Sequence, residues 1–152
     1  MSARPGLATG FASAEESPGL LLWRVTNRWQ AAQRATLKPF DLTHVQFVLL
    51  ASLTWLGTDG PMTQRELSEH AHTDPMMTSQ VLRALEKKGL IRRAPHPSDA
   101  RAWALTVTDE GASQANDANA VVEEVDRAFF APLGDARLFT SLLRTLAGSG
   151  SD

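Results

Sequence analysis

Along the chain, apolar positions recur at helical spacing in six stretches and alternate in two short ones. Ser17 before Pro18 is an N-cap with proline at the first helical position, and the helix it opens runs to about Lys38, where Pro39 stops it. Thr43-x-x-Gln46 is a capping box ahead of the apolar run Phe47–Leu56, and Gly57 closes that helix. Thr63-x-x-Glu66 repeats the signature and opens a short helix through about Ala71. Asp74-Pro75 starts a further helical pattern that Gly89 ends. The period then changes. Leu90–Ala94 and Trp103–Val107 are short, alternating and β-prone, and the turn-rich segment between them predicts a hairpin. Thr108 with Asp109 and Glu110 begins a long helix, the two acids favouring its positive end, and Pro132 terminates it. A last helix spans about Asp135–Ala147, with Leu138, Leu142 and Leu146 on one face.

Two closely spaced helices followed by a two-stranded ribbon are the plan of a winged helix-turn-helix. The predicted fold class is mainly α with a small β-hairpin. Its winged core covers about 43–108, within a single unit over 18–147 whose outer helices cover about 18–38 and 109–147. Residues 1–17 and 148–152 carry no periodicity and are expected to lack fixed structure.

The helix after Asp74 holds the most informative face. At about 100° per residue, Val81, Leu82 and Leu85 fall within roughly 60° of Thr78 and form a core stripe. Met76, Gln80, Arg83 and Lys87 lie near the opposite pole, with Met77 and Ser79 on its flanks. Gln80 suits a bidentate contact with adenine, Arg83 a guanine or a phosphate, and the methionines a thymine methyl. Ser79 and Lys87 better suit phosphate, which fixes position without specifying sequence. The same composition also fits a plain solvated face, but two exposed methionines at a helix start favour the DNA reading.

Charge is unevenly distributed along the chain. The formal net charge is −2, yet Arg83 to Arg101 hold six cations against two anions, and Asp109 to Arg137 hold seven anions against two cations. A basic patch on an acidic body is expected where only one surface meets phosphate. Arg92, Arg93, His96, Asp99 and Arg101 occupy the ribbon, and an arginine at such a tip suits a narrow minor groove. Asp99 stands two residues before Arg101, close enough for its carboxylate to orient the guanidinium or simply to brace the loop.

Several classes of function are excluded or weakened. The 152 residues contain no cysteine, so thiol redox chemistry, disulfides and thiolate metal sites are absent. No apolar run approaches a membrane span, and a cytoplasmic location is the expectation. A glycine-rich phosphate loop and a nucleophile elbow are both missing, so no enzyme and no cofactor are expected. Glu66 and His70 share a helix face, but His72 diverges from them, leaving a metal-responsive regulator as a minor alternative and no metal site assigned. The other alternative is a winged-helix protein-interaction module without DNA binding, which would have no use for the cationic ribbon.

The stretches LTHVQFVLLASL, TQRELSEHAHTDPMMTSQVLRALEKKGLIRR and SDARAWALTVTDEG together resemble the MarR family of bacterial transcription regulators. The likeness spans roughly residues 20–147. It implies a homodimer with interlocking N- and C-terminal helices and two winged lobes on successive major grooves of double-stranded DNA, reading an inverted repeat as a repressor. By this likeness Met76, Met77, Ser79 and Gln80 match the base-reading segment and Arg101 the minor-groove arginine. The position of Gln80 often carries arginine in relatives, so their base preferences do not transfer. Apolar faces at Leu21, Val25, Val122, Val125, Phe129, Leu138 and Leu142 would form the dimer. Relatives bind small, often aromatic, anionic effectors between the dimer helices and the lobe; Trp23, Trp29, His44, Phe47 and Trp55 lie on segments able to line such a crevice, though aromatics at helical spacing are more often core.

Overall fold

The computed structural model describes residues 6–148. Its elements are α1 (Pro18–Leu37), α2 (His44–Leu56), β1 (Met62–Thr63), α3 (Gln64–Ala71), α4 (Pro75–Lys87), β2 (Ile91–Pro95), β3 (Trp103–Val107), α5 (Asp109–Phe130) and α6 (Ala136–Leu146). The helix starts follow from local chemistry. Ser17 accepts from the Leu20 amide, and Thr43 and Thr63 form reciprocal boxes with Gln46 and Glu66. Asp74 accepts from the Met77 amide at 2.9 Å. Each cap satisfies a donor that the first helical turn leaves unpaired.

Helix ends are equally specific. Gly89 adopts a left-handed φ of 77°, its amide bonds the Glu86 carbonyl, and the Leu90 amide reaches back to Leu85. This double closure turns the chain out of α4 and directly into the wing.

The expected hairpin is present, with Ile91–Pro95 antiparallel to Val107–Trp103. A third strand joins it in the order β1-β3-β2: Met62 pairs with Leu105 and Thr63 with Ala104, antiparallel. Two residues carry no readable alternation, so β1 leaves no periodic signal. Ahead of α1, Ala14–Glu16 form a 3-10 turn, tied to α1 by a 2.7 Å ion pair between Glu15 and Arg24. Residues 1–5 and 149–152, also expected to be without structure, lie outside the described residues.

One core unites the lobe. Leu37 of α1, Phe47, Leu49, Leu50 and Leu53 of α2, Leu67 of α3, Leu82 and Leu85 of α4, Ile91 and Leu105 of the sheet, and Ala115, Ala118 and Val122 of α5 are all buried together. Val122, expected on a dimer face, is thus core, because it lies on the side of α5 that carries Ala115 and Ala118. The small residues of α5 let it lie close against α2. By contrast, α6 buries no residue at all, and Leu138, Leu142 and Leu146 stand exposed on it.

The first turn of α5 is the tightest point. Thr108 accepts from the Gly111 amide at 3.0 Å and donates its hydroxyl to the Gly89 carbonyl at 2.7 Å, joining the start of α5 to the end of α4. A Cβ on Gly111 would stand 2.0 Å from the Leu90 carbonyl oxygen. Gly111→Ala is therefore expected to lower stability by about 1–3 kcal/mol through overpacking against backbone that cannot yield. Urea unfolding measures this, and an unchanged midpoint contradicts it.

Candidate nucleic-acid interface

Thr78 has no exposed surface, and its hydroxyl sits 2.8 Å from the Asp74 carbonyl and 2.6 Å from the Thr73 hydroxyl. Ser68 of α3 donates to the Thr73 carbonyl at 2.7 Å and lies 3.4 Å from the Thr78 hydroxyl. These groups clamp the α3–turn–α4 unit from inside, while Leu67, Leu82 and Leu85 seat it on the core. Buried hydroxyls so satisfied fix one geometry, because any slippage leaves polar groups unpaired.

The opposite face of α4 is open. Met76, Met77, Gln80, Arg83 and Lys87 are exposed and Ser79 is half-buried, so the six residues form one continuous outward surface. Lys88, next along, turns away from it. Its ammonium contacts the Asp41 carbonyl, bonds Gln46 at 3.1 Å and lies 3.6 Å from the Asp41 carboxylate, latching the C-terminal end of α4 to the α1–α2 junction. Nothing in the sequence distinguishes Lys87 from Lys88 except helical phase, and the latch is visible only in three dimensions.

The wing is held by its own hydrogen bonds. The His96 amide reaches the Ala102 carbonyl at 2.9 Å, the Ala102 amide the Asp99 carbonyl at 3.1 Å, and Ser98 contacts the His96 ring. Of the two roles expected of Asp99, the structure shows the loop brace. Its carboxylate accepts from the Arg101 backbone amide at 3.0 Å, an Asx turn that shapes the tip. Among the described residues no ion pair holds the Arg101 side chain, which is exposed. Arg93 behaves differently. Its guanidinium carbon lies 4.9 Å from the Trp103 ring centroid, and its Nε is buried without a partner. Stacking on an indole face fixes a guanidinium plane and leaves its outer N–H groups for an acceptor. Trp103 is legible in the sequence as a strand residue, not as a platform. A cleft of about 590 Å³ separates this wing from the N-terminal ends of α3 and α4, lined by Gln64, Arg65, Pro75, Asp99, Arg101 and Trp103 among others.

Of the five crevice residues, Trp29 and His44 meet and the other three lie apart from them. Phe47 belongs to the core, and Trp23 projects from α1 with 69 % of its surface exposed. His44 lines a cavity of about 320 Å³ with Arg34, Lys38, Asp41, Gln46 and Lys88. Trp55 lines a separate one of about 470 Å³ with Thr54, Asn116, Asn119 and Glu123. Trp29 packs edge-on against His44 at 5.0 Å and donates to Asp126 at 2.8 Å, where buried Gln33 also donates at 2.7 Å. Among the described residues no three His, Asp or Glu side chains gather as a metal site, and Glu66 is committed to its cap.

Residues 42–103 match the sequence profile of the MarR family. Over 137 residues the chain is 42 % identical to the HTH-type transcriptional regulator YdcH of Bacillus subtilis, covering 90 % of this chain and 93 % of that protein. This chain belongs to the MarR family. It is 34 % identical over 142 residues to the HTH-type transcriptional repressor Rv2887 of Mycobacterium tuberculosis, covering 91 % of this chain and 98 % of that one. The MarR fold is shared with a cysteine-to-serine mutant of MarR from E. coli, solved in complex with operator DNA, at a TM-score of 0.77 and 23 % identity over 90 % of this chain and 99 % of that one. As a MarR-family member the protein is a DNA-binding transcription regulator and not an enzyme. No helix among the described residues is long and apolar enough to cross a membrane.

Burial depresses the pKa of His44 below its ordinary value of 6.5; Asp126 opposes that shift and Arg34 adds to it. A histidine kept neutral by the fold contributes stability above its unfolded pKa and loses it as pH falls. His44→Gln is expected to flatten the decline in thermal stability across a series from neutrality to about pH 5. An equally steep decline in the variant contradicts this account of His44.

Proposed function

We propose that the protein is a homodimeric, cytoplasmic repressor that reads a short inverted repeat in double-stranded DNA and is released by a small anionic effector. The observation that carries this reading is the pairing of two surfaces on one chain. One is the open α4 face with its adjoining cationic wing. The other is the apolar surface of α1 and α6: Leu21, Leu22, Trp23 and Val25 with Leu138, Leu142, Leu143 and Leu146, all exposed. An amphipathic helix that packs on its own chain through little more than Phe139 and leaves four leucines exposed favours a partner, and a second copy offers the same surface in return. Two-fold symmetry then presents two α4 faces to one duplex, with half-sites about one helical turn apart. Joining the lobes raises the effective concentration of the second on its half-site, which offsets the few phosphate contacts each makes alone.

Within the interface, Met76, Met77, Ser79 and Gln80 take the base edges. Arg83, Lys87 and Arg93 take phosphate, and Arg101 enters the minor groove with its backbone set by Asp99. The repressor reading rests on the likeness to Rv2887, the relative named as a repressor. The effector reading is supported by the cavity among Arg34, Lys38, His44 and Lys88, whose size and charge suit a small carboxylate, aromatic ones included. Lys88 links that cavity to α4, so an anion competing with Asp41 for it would loosen the recognition helix.

Fragments selected from the source genome supply the operator for titration. Arg101→Ala is expected to weaken operator binding by roughly tenfold or more, since a good groove contact contributes about 1–3 kcal/mol. A gel-shift titration at fixed salt checks this, and an unchanged midpoint removes Arg101 from the interface. Gln80→Ala is expected to lower discrimination between operator and random DNA more than it lowers affinity for random DNA. Equal losses on both would assign Gln80 to the backbone. If the intact protein binds no genomic fragment even at low salt, the interaction-module alternative takes the place of this reading.

A further inference from the structure

We propose that Met76 and Met77 form a reversible oxidation site through which hydroperoxide-class oxidants switch off DNA binding. The chain has four methionines and no cysteine, so thioethers are its only readily oxidised sulfur. Within the described residues these thioethers differ in exposure. Met62 is half-buried and packed against the core, whereas Met76 is 72 % exposed and Met77 39 %. The two exposed ones are neighbours in the first turn of α4, on the surface that would close over a duplex. Among the described methionines, an oxidant reaching the free protein therefore finds those of the proposed base-reading turn the most accessible.

The step balances without any group from the protein. A sulfur lone pair attacks one oxygen of the hydroperoxide, the S–O bond forms as the O–O bond breaks, and the departing oxygen takes the remaining proton to leave as water or an alcohol. Sulfur is oxidised by two electrons and the peroxide reduced by two. The product replaces a soft apolar contact with a polar oxygen that only accepts hydrogen bonds. The surface it must face is rich in phosphate and base acceptors, so burying that oxygen there leaves it short of donors. Neither side chain is part of the core, and the caps and hydroxyl clamp of α4 use backbone and Thr, Ser and Asp groups instead. Oxidation thus acts on binding, not on folding. Methionine sulfoxide reductases reverse the reaction, which makes the change a switch and not damage.

This inference rests on the DNA-facing assignment of α4, and the experiment separates the two. The full chain is treated with hydrogen peroxide, freed of oxidant, mapped by peptide mass, and titrated against the selected operator at fixed salt, with thermal unfolding alongside. The expected result is one added oxygen on each of Met76 and Met77, binding weakened roughly tenfold or more, an unchanged unfolding transition, and recovery after treatment with reductases for both sulfoxide epimers. The same peroxide treatment of Met76→Leu/Met77→Leu is expected to leave that variant's own operator affinity within about twofold of its untreated value, while Met62→Leu stays as sensitive as the parent. Full oxidation at both positions with unaltered binding overturns the proposal, as does equal sensitivity in the double variant. Failure of the untreated protein to bind any operator instead overturns the regulator reading beneath it.

Discussion

Thr78 sits one turn into α4 with its side chain wholly enclosed, and its hydroxyl meets the Asp74 carbonyl, the Thr73 hydroxyl and, at longer range, that of Ser68. A buried hydroxyl is costly unless paired, and here the pairing is available in only one arrangement of α3, turn and helix. The apolar contacts of Leu67, Leu82 and Leu85 supply adhesion, but adhesion alone tolerates sliding. The hydroxyl clamp makes the pose of α4 definite. Without it, neither the outward Gln80 and Arg83 nor the exposed methionines would hold a fixed relation to the wing.

The wing is tied to the same helix by backbone. Gly89 turns the chain, Thr108 bonds its carbonyl, and Gly111 lets α5 pass within contact of Leu90. Helix and ribbon therefore behave as one reading head. From there α5 runs through the core and connects to α6, which packs back through Phe139 on Phe130 but leaves Leu138, Leu142, Leu143 and Leu146 exposed. The result is a division of labour: small residues near the start of α5 hold the lobe together, and the helix after it presents exposed leucines, the surface proposed for a second copy. Charge follows the same division, cations gathering from Arg83 to Arg101 and anions along α5.

Much of the fold is legible in the sequence because its signals are local. The capping boxes at Thr43 and Thr63 and the Gly89 exit each act within a few residues, and the turn from helical to alternating periodicity marks the ribbon. What is not legible there depends on segments distant in sequence. Strand β1 exists only because Leu105 and Ala104 offer it an edge. Lys88 differs from Lys87 only in what the α1–α2 junction places near it, and Trp103 becomes a platform only when Arg93 lies over it. The Asp99–Arg101 pair is instructive: spacing brings the carboxylate near Arg101, but the loop satisfies it with the backbone amide. Aromatic content is the poorest guide, since Phe47, His44, Trp55 and Trp23 occupy a core, two different cavities and open surface.

In the proposed complex two copies of one reading head sit on a single duplex. Hydroxyl-radical footprinting of the selected operator, combined with the mass of the complex in solution, reads that arrangement. The expected result is two chains per duplex and protected patches related by two-fold symmetry, about one helical turn apart. One chain per duplex, or protection without that symmetry, would contradict it.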